Sequence, residues 1–171
     1  PGVKVERVQD TAAGRMTFIA DFYSDKYAAH QADFLVCKMT LEHIPAVGEF
    51  VATLRRAIGD RVGTPVFFQV PDTTRILRDC AFEDIYYEHC SYFTEGSLRY
   101  LFESNGLEVL DMSTGYDDQY LMVEARPTTN AGESSAEPCP DLLAETARTV
   151  DYFVDNVRVK FEYWRHKLQC T

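Results

Sequence analysis

The chain has 171 residues, 46% of them hydrophobic, enough for one ordinary globular core. Its 27 acidic against 17 basic side chains leave a formal charge of −10, which repels phosphate backbones and argues against a nucleic-acid partner. No basic amphipathic stretch points to a membrane surface, no run reaches the roughly 20 apolar residues of a bilayer span, and the opening PGVKVERVQD lacks a signal peptide's apolar core, so the sequence predicts a cytoplasmic protein.

The elements follow from short apolar runs alternating with helical periods. RMTFIAD (15–21) reads as a strand, as does DFLVCKM (33–39), whose continuous apolar run suits a strand covered on both faces. Pro45 opens a segment in which Val47, Phe50, Val51, Leu54 and Ile58 recur at helical spacing, with Gly59 placed to stop it. TPVFFQVP (64–71) is a short apolar strand confined by prolines. Residues 72–80 read as irregular or briefly helical. A helix starts near Thr94, turns Leu98, Leu101 and Phe102 inward, and ends at Asn105-Gly106. LEVLDMS (107–113) and QYLMVEA (119–125) alternate as an antiparallel pair.

Strands alternating with helices predict an α/β fold: a mostly parallel sheet covered by helices, with an antiparallel edge. PTTNAGESSAEPCP (127–140) reads as a flexible linker. Beyond it one long amphipathic helix is expected over about 141–168, with an apolar face that needs a partner. The predicted organisation is a domain over 1–126, the linker 127–140 and a helical segment 141–171.

Five cysteines (Cys37, Cys80, Cys90, Cys139, Cys170), an odd number with no C-x-x-C pair, argue against a disulfide framework and a structural zinc site. No metal ligand set is read from the sequence. Two constellations fall at the ends of predicted strands, where open parallel sheets place ligand sites: CKMTLEHIP (37–45) and EDIYYEHCSYF (83–93). In the second, His89 is the side chain best suited to exchange protons near neutral pH. Tyr86 shares its side if the segment is a helical turn, and Glu88 orients the ring if the backbone bends. The competing reading packs Tyr86, Tyr87 and Tyr92 against the sheet and leaves His89 capping a carbonyl. His43 is either a turn residue or a wall of a cofactor pocket. Asp21 is either a helix N-cap or an acceptor for an adenine amine. No G-x-S-x-G, P-loop, H-E-x-x-H or G-x-G-x-x-G occurs, and a Cys90–His89 catalytic pair lacks a third orienting group.

ADFLVCKMTLEHIPAVGEFVATLRRAIG, VFFQVP, FEDIYYEHCSYFTEGSLRYLFESNGLEVLDM and YLMVEARP together resemble the later part of class I S-adenosylmethionine-dependent methyltransferases. The likeness is to the sugar C-methyltransferase group in particular, where a stretch similar to D-x-I-Y-H-E-H-x-S-Y-F precedes the fifth helix. It covers roughly residues 15–126, and the helix at 141–168 resembles the one that follows in that family.

The resemblance implies a Rossmann-like sheet in which the strand at 33–39 lies beside the cofactor. Lys38, Met39 and Thr40 would line the S-adenosylmethionine cleft with His43 close by, and Asp21 and Phe22 match the positions that hold adenine. Tyr86 and His89 fall on the motif's acid/base residues. The implied reaction is removal of a proton alpha to a ketone, attack of the enolate on the sulfonium methyl, and stabilisation of the oxyanion by a phenol, on a small polar or sugar-like acceptor.

The chain departs from the family at Tyr87, where an imidazole is expected, and at YDDQY (116–120), where H-G-G-S is expected. The glycine-rich E-x-G-x-G loop and the ribose-binding acidic residue are not found. The chain therefore reads as an internal fragment that binds S-adenosylmethionine weakly or not at all. Its strand at 15–21 is expected either to be rearranged or to be shielded in a homodimer, through the exposed sheet edge or the C-terminal helix. The alternative function is a non-catalytic Rossmann-like module for dimerisation or partner binding; a nicotinamide oxidoreductase would also need a glycine fingerprint.

Overall fold

A computed structural model describes residues 3–129 and 139–169. Its first element is a hairpin, β1 (Arg7–Thr11) and β2 (Gly14–Phe18), paired antiparallel from Arg7↔Phe18 to Thr11↔Gly14. The strand expected at 15–21 is thus shorter and belongs to a separate two-stranded sheet. The reason is compositional: RVQDT and GRMTF set only a few apolar side chains on either face of the ribbon, and all of its residues except the partly buried Phe18 are exposed.

The main sheet contains β3 (Leu35–Lys38), β4 (Val66–Pro71), β5 (Leu107–Gly115) and β6 (Tyr120–Pro127) in the spatial order β3-β4-β6-β5. β3 and β4 are parallel, and β6 runs antiparallel to both β4 and β5. The α/β architecture and the antiparallel edge pair are as expected, but the sheet is mixed and not mostly parallel, because β3–β4 is the one parallel pairing among the described strands. Another expectation fails: β3 is covered on one face, where Leu35 and Cys37 are partly buried, while Val36 on the other is 55% exposed, and among the described residues β3 is an edge strand. Its apolar run marks a strand but carries no information on how many neighbours it has.

Alternation along β4 and β6 turns Val66, Phe68 and Val70, with Leu121, Val123 and Ala125, into one buried cluster. Two helices contribute to it. α1 (Val47–Ile58) buries Val51, Leu54 and Ile58 and ends at Gly59, whose φ of +64° a side chain would resist. α3 (Glu95–Glu103) starts at a reciprocal capping box between Thr94 and Ser97 and buries Leu98 and Phe102. Phe68 meets Phe102 edge-on, ring centres 4.9 Å apart.

The brief helix anticipated after β4 is α2 (Thr73–Arg78), N-capped by Asp72, which accepts a 2.9 Å bond from the Thr74 amide. The long helix is α4 (Pro140–Gln169). It lies against α2 and the turn after it: Phe161 stacks on Phe82 with ring centres 4.1 Å apart, and Lys160 bonds the Asp79 carbonyl at 3.2 Å and Glu83 at 3.3 Å. Most of the predicted linker, residues 130–138, lies outside the described residues, as does Cys170, while Pro127 closes β6. Among the described residues no helix is long and apolar enough to cross a membrane.

The turn between β5 and β6 holds three consecutive side-chain-bearing residues in the left-handed region: Tyr116 (φ 56°), Asp117 (56°) and Asp118 (60°). Asp118 accepts a 2.6 Å bond from the Thr114 hydroxyl.

Candidate functional site

The site is assembled where β3 and β4 end side by side. Beyond Lys38, Met39 takes a positive φ of 49° while its amide still donates to the Gln69 carbonyl at 2.9 Å. The Thr40 hydroxyl folds back onto the Lys38 carbonyl at 2.9 Å. A 3-10 turn, Leu41–His43, then buries Leu41 and Glu42 and leaves His43 exposed. Full burial of Leu41 in the main cluster is what pins the turn.

The second constellation is tied to that turn through the backbone. The Glu42 carbonyl accepts from the amides of Cys90 (2.7 Å) and Ser91 (3.2 Å). The His89 amide donates to the Tyr86 carbonyl at 3.2 Å, so residues 86–89 do form a turn and the two rings approach to 5.2 Å between centres. His89 also meets His43 edge-on at 4.8 Å. Tyr92 braces the turn by donating its hydroxyl to the Tyr86 carbonyl at 3.0 Å. Glu88 contributes its backbone carbonyl, 3.4 Å from His43 Nδ1. Tyr87 is fully exposed, contrary to the reading in which all three tyrosines pack on the sheet, and His89 Nδ1 is buried without a hydrogen-bond partner instead of capping a carbonyl.

Asp21, Phe22, Lys38, Met39, Thr40 and His43 all line one cleft of about 970 Å³, to which Val36, Ile44 and Phe50 add apolar wall. A neighbouring pocket of about 380 Å³ is lined by Met39, His43, Tyr86, Glu88, His89 and Gln119, among others. Met39 and His43 belong to both linings. Two cavities therefore meet across a partition of two side chains.

Asp21 is not a helix N-cap; that position before the 3-10 helix Asp25–His30 is Ser24. Its carboxylate pairs with Lys26, accepts from the Tyr27 hydroxyl at 2.6 Å and from the Phe22 amide at 2.8 Å. These bonds, Lys26 foremost, hold its pKa down at about 2. Phe22 beside it is 76% exposed, an open aromatic face.

Neither thiol near the site forms a catalytic pair with an imidazole. Cys90 Sγ points at the carbonyls of His43 (3.6 Å) and Glu88 (3.8 Å), so no thiol–imidazole pair with His89 forms. Burial, reinforced by the charge of Glu42, pushes the Cys37 thiol up to about 12.

Two participants went unread in the sequence. Gln119 enters the smaller pocket from the β5–β6 turn. Glu42 is 1% exposed, and its one sequence signal is an acidic residue held between Leu41 and Ile44 right after a strand.

The sequence pattern of a methyltransferase domain matches residues 4–112. The C-methyltransferase NovU of Streptomyces niveus is 48% identical over 48 residues, which are 28% of this chain and 11% of that protein. Among solved structures, the N,N-8-amino-8-demethyl-D-riboflavin dimethyltransferase RosA of Streptomyces davawensis is similar with a TM-score of 0.46 and 19% identity, over 57% of this chain and 30% of that one. The magnesium protoporphyrin IX methyltransferase ChlM of Synechocystis PCC 6803, solved with bound SAH, gives a TM-score of 0.42 and 12% identity, over 56% of this chain and 45% of that one. The chain thus spans less than half the length of each of these relatives.

Proposed function

The chain belongs to the methyltransferase domain family, and from that premise we propose that it forms the acceptor-facing part of an S-adenosylmethionine-dependent methyltransferase acting on a small polar or sugar-like acceptor. The observation that carries this reading is the shared partition. A methyl donor in the larger cleft and an acceptor in the smaller pocket would face each other across Met39 and His43, the proximity that methyl transfer needs.

The larger cleft fits an adenosyl cofactor on chemical grounds. Its volume lies within the range of roughly 300–1,000 Å³ usual for such sites, and its lining mixes apolar wall with a few polar groups. Phe22 offers its exposed face to a purine. Asp21 has about four lone-pair sites; its Oδ2 serves Tyr27 and Lys26, while Oδ1 serves the Phe22 amide and keeps one for an adenine amine. When bound, the cofactor supplies an electrophilic methyl group on a sulfonium.

Within the acceptor pocket, His89 takes the proton from the acceptor carbon or hydroxyl through its neutral imidazole. Tyr86, on the same turn, donates its phenol to the oxygen on which charge develops. Glu88 acts through its carbonyl on His43, which keeps that ring edge-on to His89. The pocket lining includes Asp84 and Glu88 but no lysine or arginine among the described residues, which favours an acceptor without phosphate groups.

A methyl-transfer assay on protein carrying these residues tests the reading. His89→Ala should lower kcat by about 10²–10⁴-fold with cofactor affinity retained, and Tyr86→Phe should lower it less. Undiminished turnover in His89→Ala would refute the base assignment. The 171-residue chain by itself should bind S-adenosylmethionine weakly, because the cleft runs along β3, which among the described residues has a neighbouring strand on one side alone. Calorimetry that returns micromolar affinity contradicts this.

A further inference from the structure

A buried carboxyl group without a hydrogen-bond partner lies behind the acceptor pocket. Glu42 is 1% exposed, and neither of its carboxylate oxygens has a hydrogen-bond partner. Buried carboxylates are ordinarily hydrogen-bonded, paired with a cation or bound to a metal. Two imidazoles stand over this one: His43 Nε2 is 3.9 Å from Glu42 Oε1, and His89, whose Nδ1 is likewise buried and unpartnered, packs on His43. One donor atom from each of the three side chains lies within 4.8 Å of the other two.

The hydrogen-bonding of His43 sharpens the point. With its Nδ1–H directed at the Glu88 carbonyl, its lone pair sits on Nε2, the nitrogen facing Glu42. An outer-nitrogen bond to a backbone carbonyl is the arrangement that orients metal-ligating histidines. The Glu42 carboxylate and the His43 lone pair therefore converge on one spot beside the unpartnered Nδ1 of His89.

We propose that Glu42, His43 and His89 form a binding site for a divalent first-row transition-metal ion, with zinc as its natural probe. Two imidazoles and one carboxylate suit zinc, cobalt or iron(II) and disfavour magnesium and calcium, which prefer all-oxygen surroundings. Zinc bonds to such donors are about 2.0–2.2 Å, which sets tetrahedral neighbours roughly 3.3 Å apart. The cluster must therefore contract by up to about 1.5 Å. Glu42 is fixed by its burial in the 3-10 turn, and the contraction falls to the exposed His43 and the half-buried His89.

Three protein donors leave at least one coordination position open, as in zinc sites that take water or a substrate oxygen, and His43 and His89 both line the acceptor pocket. A neutral imidazole has a single lone pair. The ion and the proton compete for His89, so zinc occupancy and general-base duty are alternative states of one side chain.

Calorimetry of the metal-stripped chain with zinc sulfate, in the absence of S-adenosylmethionine, tests the site. The expected result is one zinc per chain, with affinity about tenfold or more lower in Glu42→Gln and in His43→Ala. Cys139→Ser and His30→Ala should bind as the parent does, and cobalt(II) should give a visible ligand-field spectrum that is lost in the same two variants. Because the His43 side chain is exposed, His43→Ala decides the matter even where Glu42→Gln fails to fold. Absence of saturable zinc uptake, or uptake undiminished in His43→Ala, overturns the proposal. Metal uptake is read without cofactor or acceptor, so its failure leaves the methyl-transfer reading standing, and loss of that reading leaves the metal site standing.

Discussion

β3 and β4 are parallel neighbours of similar composition with opposite surroundings. β4 has a strand on each side and four of its six residues buried; β3 has one neighbour among the described residues and none of its four residues buried. Around β4 gather β6, α1 and α3 with the aromatic contact of Phe68 and Phe102. Around β3 gather exposed apolar side chains such as Val36 and Met39, together with the larger cleft. Stability is concentrated on one side of the sheet and the ligand-sized opening lies on the other, as expected if binding surfaces are drawn from the less consolidated end of a domain.

The contrast breaks most decisively in the core. Phe102→Ala should cost about 3–5 kcal/mol in urea unfolding, whereas Val36→Ala on β3 should cost less than about 1 kcal/mol. Equal costs would mean that β3 is far better supported than its exposure indicates. A smaller effect belongs to the entry of α3: Thr94→Ala removes the cap shared with Ser97 and should cost about 1 kcal/mol, with restoration by Thr94→Ser.

The smallest effect lies at the rim of the cleft. The Asp21 carboxyl titrates at about 2 in the folded chain, below the ordinary aspartate value. A depressed value means that its contribution to stability is complete above the unfolded-state pKa and is lost as pH falls through about 2. Because the pair is exposed, salt should weaken it. Carbon-detected NMR titration should show the shift, and Lys26→Ala should raise the Asp21 value toward normal. An unchanged value in that variant would assign the effect to Tyr27 and the Phe22 amide instead.

Elements whose signal is local were legible in the sequence. Helical spacing with a glycine stop marked α1, alternation marked β5 and β6, and Thr94 marked the start of α3. What failed was information about neighbours. RMTF alternates like a sheet strand, yet it pairs with RVQDT, which carries little apolar signal. The run at β3 looks the same whether one or two strands flank it. The same division holds in the site. The approach of Tyr86 to His89 follows from three-residue spacing within a turn, and that was readable. Their meeting with His43 depends on the Glu42 carbonyl gripping the amides of Cys90 and Ser91, a backbone contact between distant segments that no side-chain pattern encodes. Glu42 was hidden for a related reason: an isolated acidic residue after a strand is usually solvated, and tertiary packing alone reveals that this one is not.

The Tyr116–Asp118 turn has a mechanical meaning for the pocket wall it carries. A left-handed torsion costs of order 1–2 kcal/mol at a residue such as Tyr116 and less at Asp117 and Asp118, whose short polar side chains tolerate it, and the three in a row are held by the β5–β6 ladder that ends at Gly115↔Tyr120. Gln119 and Tyr120 hang from that wound segment. The wall that these two residues add to the pocket is therefore carried by backbone in a restricted region of torsion space, pinned beside Gln119 by the bond from the Thr114 hydroxyl to Asp118.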